Sequence, residues 1–177
     1  MIRRSQTRQF ALSLMIAFAL LNTACPKPSQ SALDKAANAS RTVATRYVET
    51  VDFVTTLYKG GTLNLATKDK IADALETFGK NGKKFNELLA KYSSQYANGQ
   101  VPSNIWKEIA TNFDALSADF LKILNLLPQA AGLADTKAFR AISAAVLALA
   151  RVLSENSIIP SFKYERLERE ARTYGLA

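Results

Sequence analysis

The fold is indicated first by residues 102–128, which read PSNIWKEIATNFDALSADFLKILNLLP. Large apolar residues recur in this stretch at steps of three and four, and such steps place their side chains on one face of an α-helix. Pro102 and Ser103 mark the start, with Ser103 as the predicted N-cap, and Pro128 marks the end. The stretch therefore predicts an amphipathic helix with an apolar stripe formed by Ile109, Phe113, Leu116, Phe120, Ile123 and Leu127.

The segment before it is predicted to be helical from Thr67, a capping residue type, to Asn98–Gly99. Its apolar stripe passes through Gly82, within the sequence GKNGKK at 79–84. Each internal glycine weakens a helix by roughly 1 kcal/mol relative to alanine. The stripe keeps its phase across the glycines, which favours one kinked helix over two short helices, the alternative. The stripe comprises Ile71, Leu75, Phe78, Phe85, Leu89, Tyr92 and Tyr96.

The first body segment, Ser31 to Lys59, contains neither glycine nor proline. Its length of about 43 Å as a helix follows from the rise of 1.5 Å per residue. Ser31 followed by Asp34 resembles a capping box, and Gly60–Gly61 supplies the stop. The predicted stripe comprises Leu33, Ala37, Ser40, Ala44, Tyr47, Val51, Val54 and Tyr58.

A fourth helix is predicted after the loop that contains Gly132, starting at Asp135 or Thr136. Alanines and Leu147 make this segment apolar nearly all round, which is typical of a helix buried on several sides. Its seam comprises Phe139, Ile142, Val146, Leu149 and Leu153.

Pro160 ends the fourth helix, and the tail from Ser161 to Tyr174 is predicted to be a short fifth helix. Acid–base pairs at i,i+4 support it, namely Glu165 with Arg169 and Glu168 with Arg172. Phe162, Leu167, Ala171 and Tyr174 are expected to dock it on the bundle.

Four long amphipathic segments with short connections predict an all-α domain over residues 31–177, an up-and-down four-helix bundle with a short fifth C-terminal helix.

The N-terminal residues have the three parts of a secretory signal peptide. Arg3, Arg4 and Arg8 provide the positive start, and residues 10–21 form an apolar core interrupted only by Ser13. As a helix this core spans roughly 18 Å, well short of the ~30 Å hydrocarbon layer of a membrane. A cleaved signal over residues 1–24 is therefore predicted.

Cys25 is the only cysteine and follows the small residue Ala24. Here the sequence resembles the signal of bacterial lipoproteins, whose lipobox ends in a small residue and then cysteine. Leucine is usual at the place of Asn22, and Leu21 lies one place earlier. The resemblance implies acylation of Cys25, palmitate included, cleavage before it, and membrane anchoring, at the outer membrane in a diderm organism. Residues 25–30 then form a lipidated, proline-rich tether.

The amino-acid composition argues against several kinds of catalytic and metal-binding site. The chain has no histidine, and its single cysteine lies at the predicted anchor, so imidazole catalysis and thiolate or imidazole metal sites are not expected. No P-loop, EF-hand loop or GxGxxG is present. We therefore predict no enzyme activity, catalytic residue, metal or cofactor. One alternative is a carrier protein that holds its ligand among Phe78, Phe85, Phe113 and Phe120. The helical spacing of these residues favours the other interpretation, that they are ordinary core residues.

Removal of residues 1–24 takes away three of the 23 basic residues and leaves 15 acidic ones, so the 153-residue mature chain carries +5. Anionic lipid or polymer would attract a chain of this charge, and nucleic acid is not an expected partner in the cell envelope. The sequence favours a lipid-anchored interaction or scaffolding protein of the bacterial cell envelope, partnered by an envelope protein or wall polymer. The alternative is a membrane-active lysis or pore-type protein with a retained signal anchor. Lys80, Lys83 and Lys84 form a basic cluster that is interpreted mainly as solvated surface.

Overall fold

The computed structural model describes residues 30–97, 100–127 and 137–177. These residues form five α-helices and contain no β-strand: α1 (Gln30–Lys59), α2 (Leu65–Gln95), α3 (Ser103–Leu126), α4 (Lys137–Glu155) and α5 (Ser161–Thr173). The predicted all-α class is confirmed. The predicted signal peptide and nearly all of the tether lie outside the described residues. Gln30, assigned to the tether, is the first residue of α1.

The helices pack as a bundle in which α1 lies between α2 and α4, and α2 also packs against α3. The short α5 packs mainly on α4 and also touches α3. Aromatic pairs join these neighbours: Phe53 of α1 meets Phe139 of α4 edge-on at 6.3 Å between ring centroids. Phe78 of α2 lies 6.4 Å from Phe120 of α3. This arrangement agrees with the predicted four-helix bundle and its added fifth helix.

The phenylalanines considered as a carrier site belong to the core. Phe78, Phe85, Phe113 and Phe120 are each at most 1% exposed. Phe85 and Phe113 pair across α2 and α3 with centroids 6.2 Å apart, so ring packs on ring. Aromatic pairs of this geometry stabilise a core beyond their buried area, by roughly 0.5–1.5 kcal/mol. The plain-core interpretation of these four residues is therefore the one that their packing supports.

The stripes predicted for α2, α3 and α4 face the interior. Every predicted stripe residue of α3 and α4 is buried, and in α2 only Tyr96 is partly exposed. Large-to-small changes at such positions remove apolar contacts and leave a cavity, so we expect them to lower the free energy of unfolding. Ala148 of α4 is nevertheless exposed, so burial of that helix on several sides does not extend all the way round.

The predicted helix starts need correction. α2 begins at Leu65 rather than at Thr67, and its N-cap is Asn64, whose Oδ1 accepts a hydrogen bond of 2.9 Å from the backbone N–H of Thr67. α3 begins at Ser103 itself, after Pro102, and has no side-chain cap. α1 begins at Gln30, which places Ser31 inside its first turn. The predicted start of the fourth helix at Asp135 or Thr136 lies outside the described residues.

α2 continues without a break through Gly79 and Gly82, so one helix, and not two, spans this segment. Both glycines have ordinary helical backbone angles, since positive φ among the described glycines occurs only at Gly61 and Gly175. The two glycines therefore leave α2 without side chains at positions 79 and 82, but they do not interrupt the helix.

The stripe predicted for α1 is only partly right. Ala44 and Tyr58 are exposed, whereas Val43 and Thr50 are buried. α1 has two packing partners, α2 and α4, on different sides. Its buried surface is consequently wider and differently centred than one stripe predicts.

α5 docks on α3 through polar contacts as well as apolar ones. Lys163 Nζ forms an ion pair with both carboxylate oxygens of Asp114, and Tyr174 Oη donates to Asn125 Oδ1 at 3.0 Å. Leu167 and Ala171 are buried as predicted, but Phe162 is 62% exposed and does not dock. The predicted i,i+4 pair Glu168–Arg172 forms, with 2.8 Å between Oε1 and Nη2.

Candidate binding groove between α1 and α2

A groove of about 560 Å³ runs between the middle of α1 and the middle of α2. Its volume lies within the range of roughly 300–1,000 Å³ that small-molecule sites occupy. The α1 side is uncharged, with Val48 56% exposed at the edge, and the α2 side is charged. The floor is formed by Ser40, Val43, Tyr47, Phe78 and Leu116; the α1 edge by Ala44 and Val48; the α2 edge by Glu76, Lys80, Lys83, Asn86 and Glu87, with Gly79 and Gly82 between floor and edge.

The missing side chain of Gly82 opens this groove toward α3. The α2 stripe places an apolar residue at position 82, between Phe78 and Phe85, and glycine leaves that place empty. A Cβ atom added there would meet only Leu116 Cδ1 within 4 Å, at 3.7 Å, which is ordinary van der Waals contact. Leu116 belongs to α3, yet it lines a groove between α1 and α2. The groove therefore reaches one layer deeper at this glycine.

Gly79 has a different role, because the ring of Tyr47 lies against it. A Cβ atom at position 79 would fall 2.5 Å from both Cζ and Oη of Tyr47, closer than atoms can approach. The ring also contacts Phe78, with centroids 6.1 Å apart and planes inclined by 42°. Burial, and then the nearby carboxylate of Glu76, raises the pKa of Tyr47 above its usual value. The phenol in the floor is therefore neutral at physiological pH.

A smaller cavity of about 220 Å³ adjoins the groove along the same helix pair. Tyr47 and Glu76 line both spaces, so the tyrosine ring stands between them. From Ser40 to Tyr58 the two spaces follow α1 over about 27 Å, at 1.5 Å per residue. The α1–α2 seam thus contains two mainly apolar spaces, which the Tyr47 ring separates.

The charges on the α2 edge are paired one turn apart. Lys80 forms an ion pair with Glu76, and Lys83 Nζ lies 3.9 Å from Glu87 Oε1. The hydrogen bond with Glu76, and then its charge, raises the pKa of Lys80; the same contact lowers the pKa of Glu76. All four side chains are mostly exposed, and exposed pairs stabilise by only about 0–1 kcal/mol. Both ammonium groups can therefore exchange partners at little free-energy cost.

A buried carboxylate fixes the glycine segment on α3. Asp119 is 3% exposed; its Oδ2 accepts a hydrogen bond of 2.6 Å from Asn81 Nδ2, and its Oδ1 accepts one of 2.8 Å from Lys122 Nζ. A charge in this position requires such partners, since an unpaired buried carboxylate is strongly destabilising. Asn81 lies between the two glycines. This hydrogen bond therefore ties the glycine segment of α2 to α3, the helix that contributes Leu116 to the groove floor.

Among the residues suggested by the sequence, the structure brings Lys80 and Lys83 to the groove edge, while Lys84 is exposed outside its lining. Cys25 lies outside the described residues. Within 30–97, 100–127 and 137–177, no group of three or more histidine, cysteine, aspartate or glutamate side chains is placed to hold a metal ion. The helices of the same ranges include none with the length and hydropathy of a membrane span.

Sequence reasoning did not identify the groove. One signal for it was present: Gly82 occupies a stripe position without breaking the phase of the stripe. A gap in an otherwise regular apolar stripe indicates a missing side chain in the core face. The position of Leu116 behind that gap, and of Tyr47 over Gly79, depends on how α1, α2 and α3 pack, which periodicity alone does not give.

Comparisons of the chain with protein-family models, with curated proteins and with solved structures found no match.

Proposed function

We propose that this protein is a lipid-anchored interaction or scaffolding protein of the bacterial cell envelope, and that the α1–α2 groove is its binding face. The observation that supports a binding role is the groove itself: an apolar floor of ligand-site volume, open to solvent beside the exposed Val48. Apolar surface that a fold leaves accessible in a concave site is typical of binding sites.

The anchor is supported by the leader sequence and by Cys25 at its end. Two or three acyl chains on one cysteine would hold the protein firmly, whereas a single chain gives only marginal membrane binding. The following Pro26–Lys27–Pro28 would keep the bundle a short distance from the membrane surface. In this position the groove meets components of the envelope and little else, which favours an envelope partner.

The anchor is tested by mass spectrometry of the full-length protein purified from membranes of a bacterial host. We expect loss of residues 1–24 and a mass increase from lipid on Cys25. Cys25→Ser should shift the protein out of the membrane fraction or leave it unprocessed. An intact Met1, or a free thiol at Cys25, would contradict the anchor.

The binding face is tested by a photo-crosslinking amino acid at Val48, on the edge of the groove. The matched control carries the same amino acid at Thr111, which is exposed on α3 away from the groove. We expect a discrete adduct at position 48 in intact cells and none at position 111. Equal adducts at both positions, or none at either, would show that the groove is not the binding face.

A further inference from the structure

The groove has the shape and the edge charges of a site for an alkyl chain. Its floor is apolar, and the gap at Gly82 lets it extend down to Leu116. The second cavity of the seam lies beyond Tyr47, so the space open to one ligand is the groove along residues 40–48 of α1. A chain of methylene groups fills such a space, and each buried methylene contributes to binding by the hydrophobic effect.

The edges of the groove favour a single chain over a protein helix. A docked protein helix needs apolar surface on both sides of its groove, and a specific protein interface buries roughly 1,200–2,000 Å² in total. Here the α2 edge is charged at Glu76, Lys80, Lys83 and Glu87, which leaves apolar surface on the α1 edge only. A groove with one polar edge suits a ligand with an apolar chain and a polar head. The slot is the part of this groove at Gly82, above Leu116.

The charge of the head follows from the position of the lysines. Lys80 and Lys83 line the groove on its α2 edge, each about one helical turn from its partner glutamate, Glu76 or Glu87. The Lys83–Glu87 pair is loose at 3.9 Å, and 79% of the Lys83 side chain is exposed. An anionic head above the slot can therefore take Lys83 as a partner directly, and Lys80 by exchange from its ion pair with Glu76.

We propose that the α1–α2 groove binds a single-chain amphiphile with an anionic head, its alkyl chain in the slot at Gly82 and its head at Lys80 and Lys83. The inference names the ligand class of the binding face proposed above and rests on that proposal. Long-chain carboxylates and alkyl phosphates, free or released from membrane lipid, share this chemistry.

The test is photolabelling of the full-length chain in phospholipid nanodiscs by a long-chain carboxylate that carries a diazirine near its methyl end. A second probe has the same chain and a trimethylammonium head. Peptide mass spectrometry should map the carboxylate adducts to residues 40–48 and 76–87. Adducts confined to other peptides, or stronger groove labelling by the trimethylammonium probe, would overturn the proposal.

Gly82→Leu is the decisive variant, because its side chain would fill the slot next to Leu116. We expect groove labelling to fall about tenfold or more, which corresponds to ~1.4 kcal/mol. The matched control is Ala90→Leu, an exposed position on the same helix outside the groove, and it should label like the parent. Thermal melting of each variant by circular dichroism checks that Gly82→Leu still folds. Equal labelling of the two variants would refute a slot at position 82.

The double variant Lys80→Gln and Lys83→Gln tests the head without changing the slot. Labelling by the carboxylate probe should fall about threefold, the scale of exposed charge interactions, while the trimethylammonium probe should not lose labelling. An unchanged carboxylate signal would overturn the assignment of the head. Labelling does not require an acylated Cys25, so the assay is repeated on Cys25→Ser. Retained groove labelling in that variant separates failure of the anchor from failure of the ligand assignment.

Discussion

Replacing each of the two internal glycines of α2 by alanine should change stability in opposite directions. Alanine is about 1 kcal/mol more favourable than glycine in a helix interior, and this gain applies to both positions. At Gly82 the new Cβ meets only Leu116 Cδ1 at 3.7 Å, so nothing offsets the gain. We therefore expect Gly82→Ala to raise the free energy of unfolding by about 1 kcal/mol. For a domain of this size that corresponds to roughly 2–4 °C in Tm.

At Gly79 the new Cβ would fall 2.5 Å from the Tyr47 ring, which must move or force the helices apart. Inserting atoms into a packed site costs about 1–3 kcal/mol, and the contact of Tyr47 with Phe78 is lost if the ring swings out. After subtracting the helix gain, Gly79→Ala should be destabilised by roughly 0–2 kcal/mol relative to the parent. The two alanine variants should thus differ by about 1–3 kcal/mol.

The assay is urea unfolding of the full chain followed by circular dichroism, with Tyr47→Ala as a second background. Without the ring, Gly79→Ala should become stabilising by about 1 kcal/mol, because only the helix term remains. The coupling between the two positions is then the direct measure of the contact. If Gly79→Ala stabilises the parent as much as Gly82→Ala does, the ring does not lie over Gly79 and the reasoning is wrong.

Three further outcomes are expected. Leu149→Ala should lower the free energy of unfolding by about 2–5 kcal/mol in the same urea assay, since Leu149 is fully buried in α4; a loss under 1 kcal/mol would contradict this. The hydrogen bond that Tyr92 donates to Glu108 raises the pKa of Tyr92 above its usual value. The stability that this bond contributes is therefore full below the usual tyrosine pKa and is lost as the pH rises through the raised one. The decline in stability above pH 10 should be smaller in Tyr92→Phe, as alkaline melting curves will show. A fragment of residues 31–177 should keep its helical circular dichroism in EDTA and release no dye from anionic vesicles, because the uncharged stretch 141–150 covers only ~15 Å as a helix.

The sequence was sufficient for the parts of the fold that depend on periodicity. The regular apolar spacing of α2, α3 and α4 predicted which residues face the interior, and these stripes are buried apart from the partly exposed Tyr96. In α1, Ala44 and Tyr58 are exposed because they line the open spaces along the seam with α2, and helical spacing does not show where a seam is open. The cap at Asn64 was missed because Thr67, three residues later, is also a capping type. Only the geometry of the chain shows which one accepts the bond.

The candidate groove was beyond sequence reasoning for a related reason. The groove is lined by residues from three helices, among them Val43, Tyr47 and Leu116, and it is open where Gly82 has no side chain. Helical spacing indicates that a residue faces the interior, but not which neighbour fills the space opposite. The lysines beside the glycines were noticed as a charge cluster. Their position on one edge of an apolar slot follows only from the pairing of α1 with α2.

The physical difference between the two glycines bears on the function of the groove. The position of the Tyr47 ring explains why residue 79 is glycine, because any larger residue would displace the ring. Nothing in the packing requires Gly82: its backbone is helical, and alanine would make an ordinary contact there. The property that alanine would remove is the empty volume above Leu116, and that volume is part of the groove. A position where the fold would be more stable with another residue is typical of a site that serves binding. Stability and labelling by the carboxylate probe should therefore move in opposite directions on substitution of Gly82, and a variant that gains stability while keeping full labelling would remove this argument for the groove.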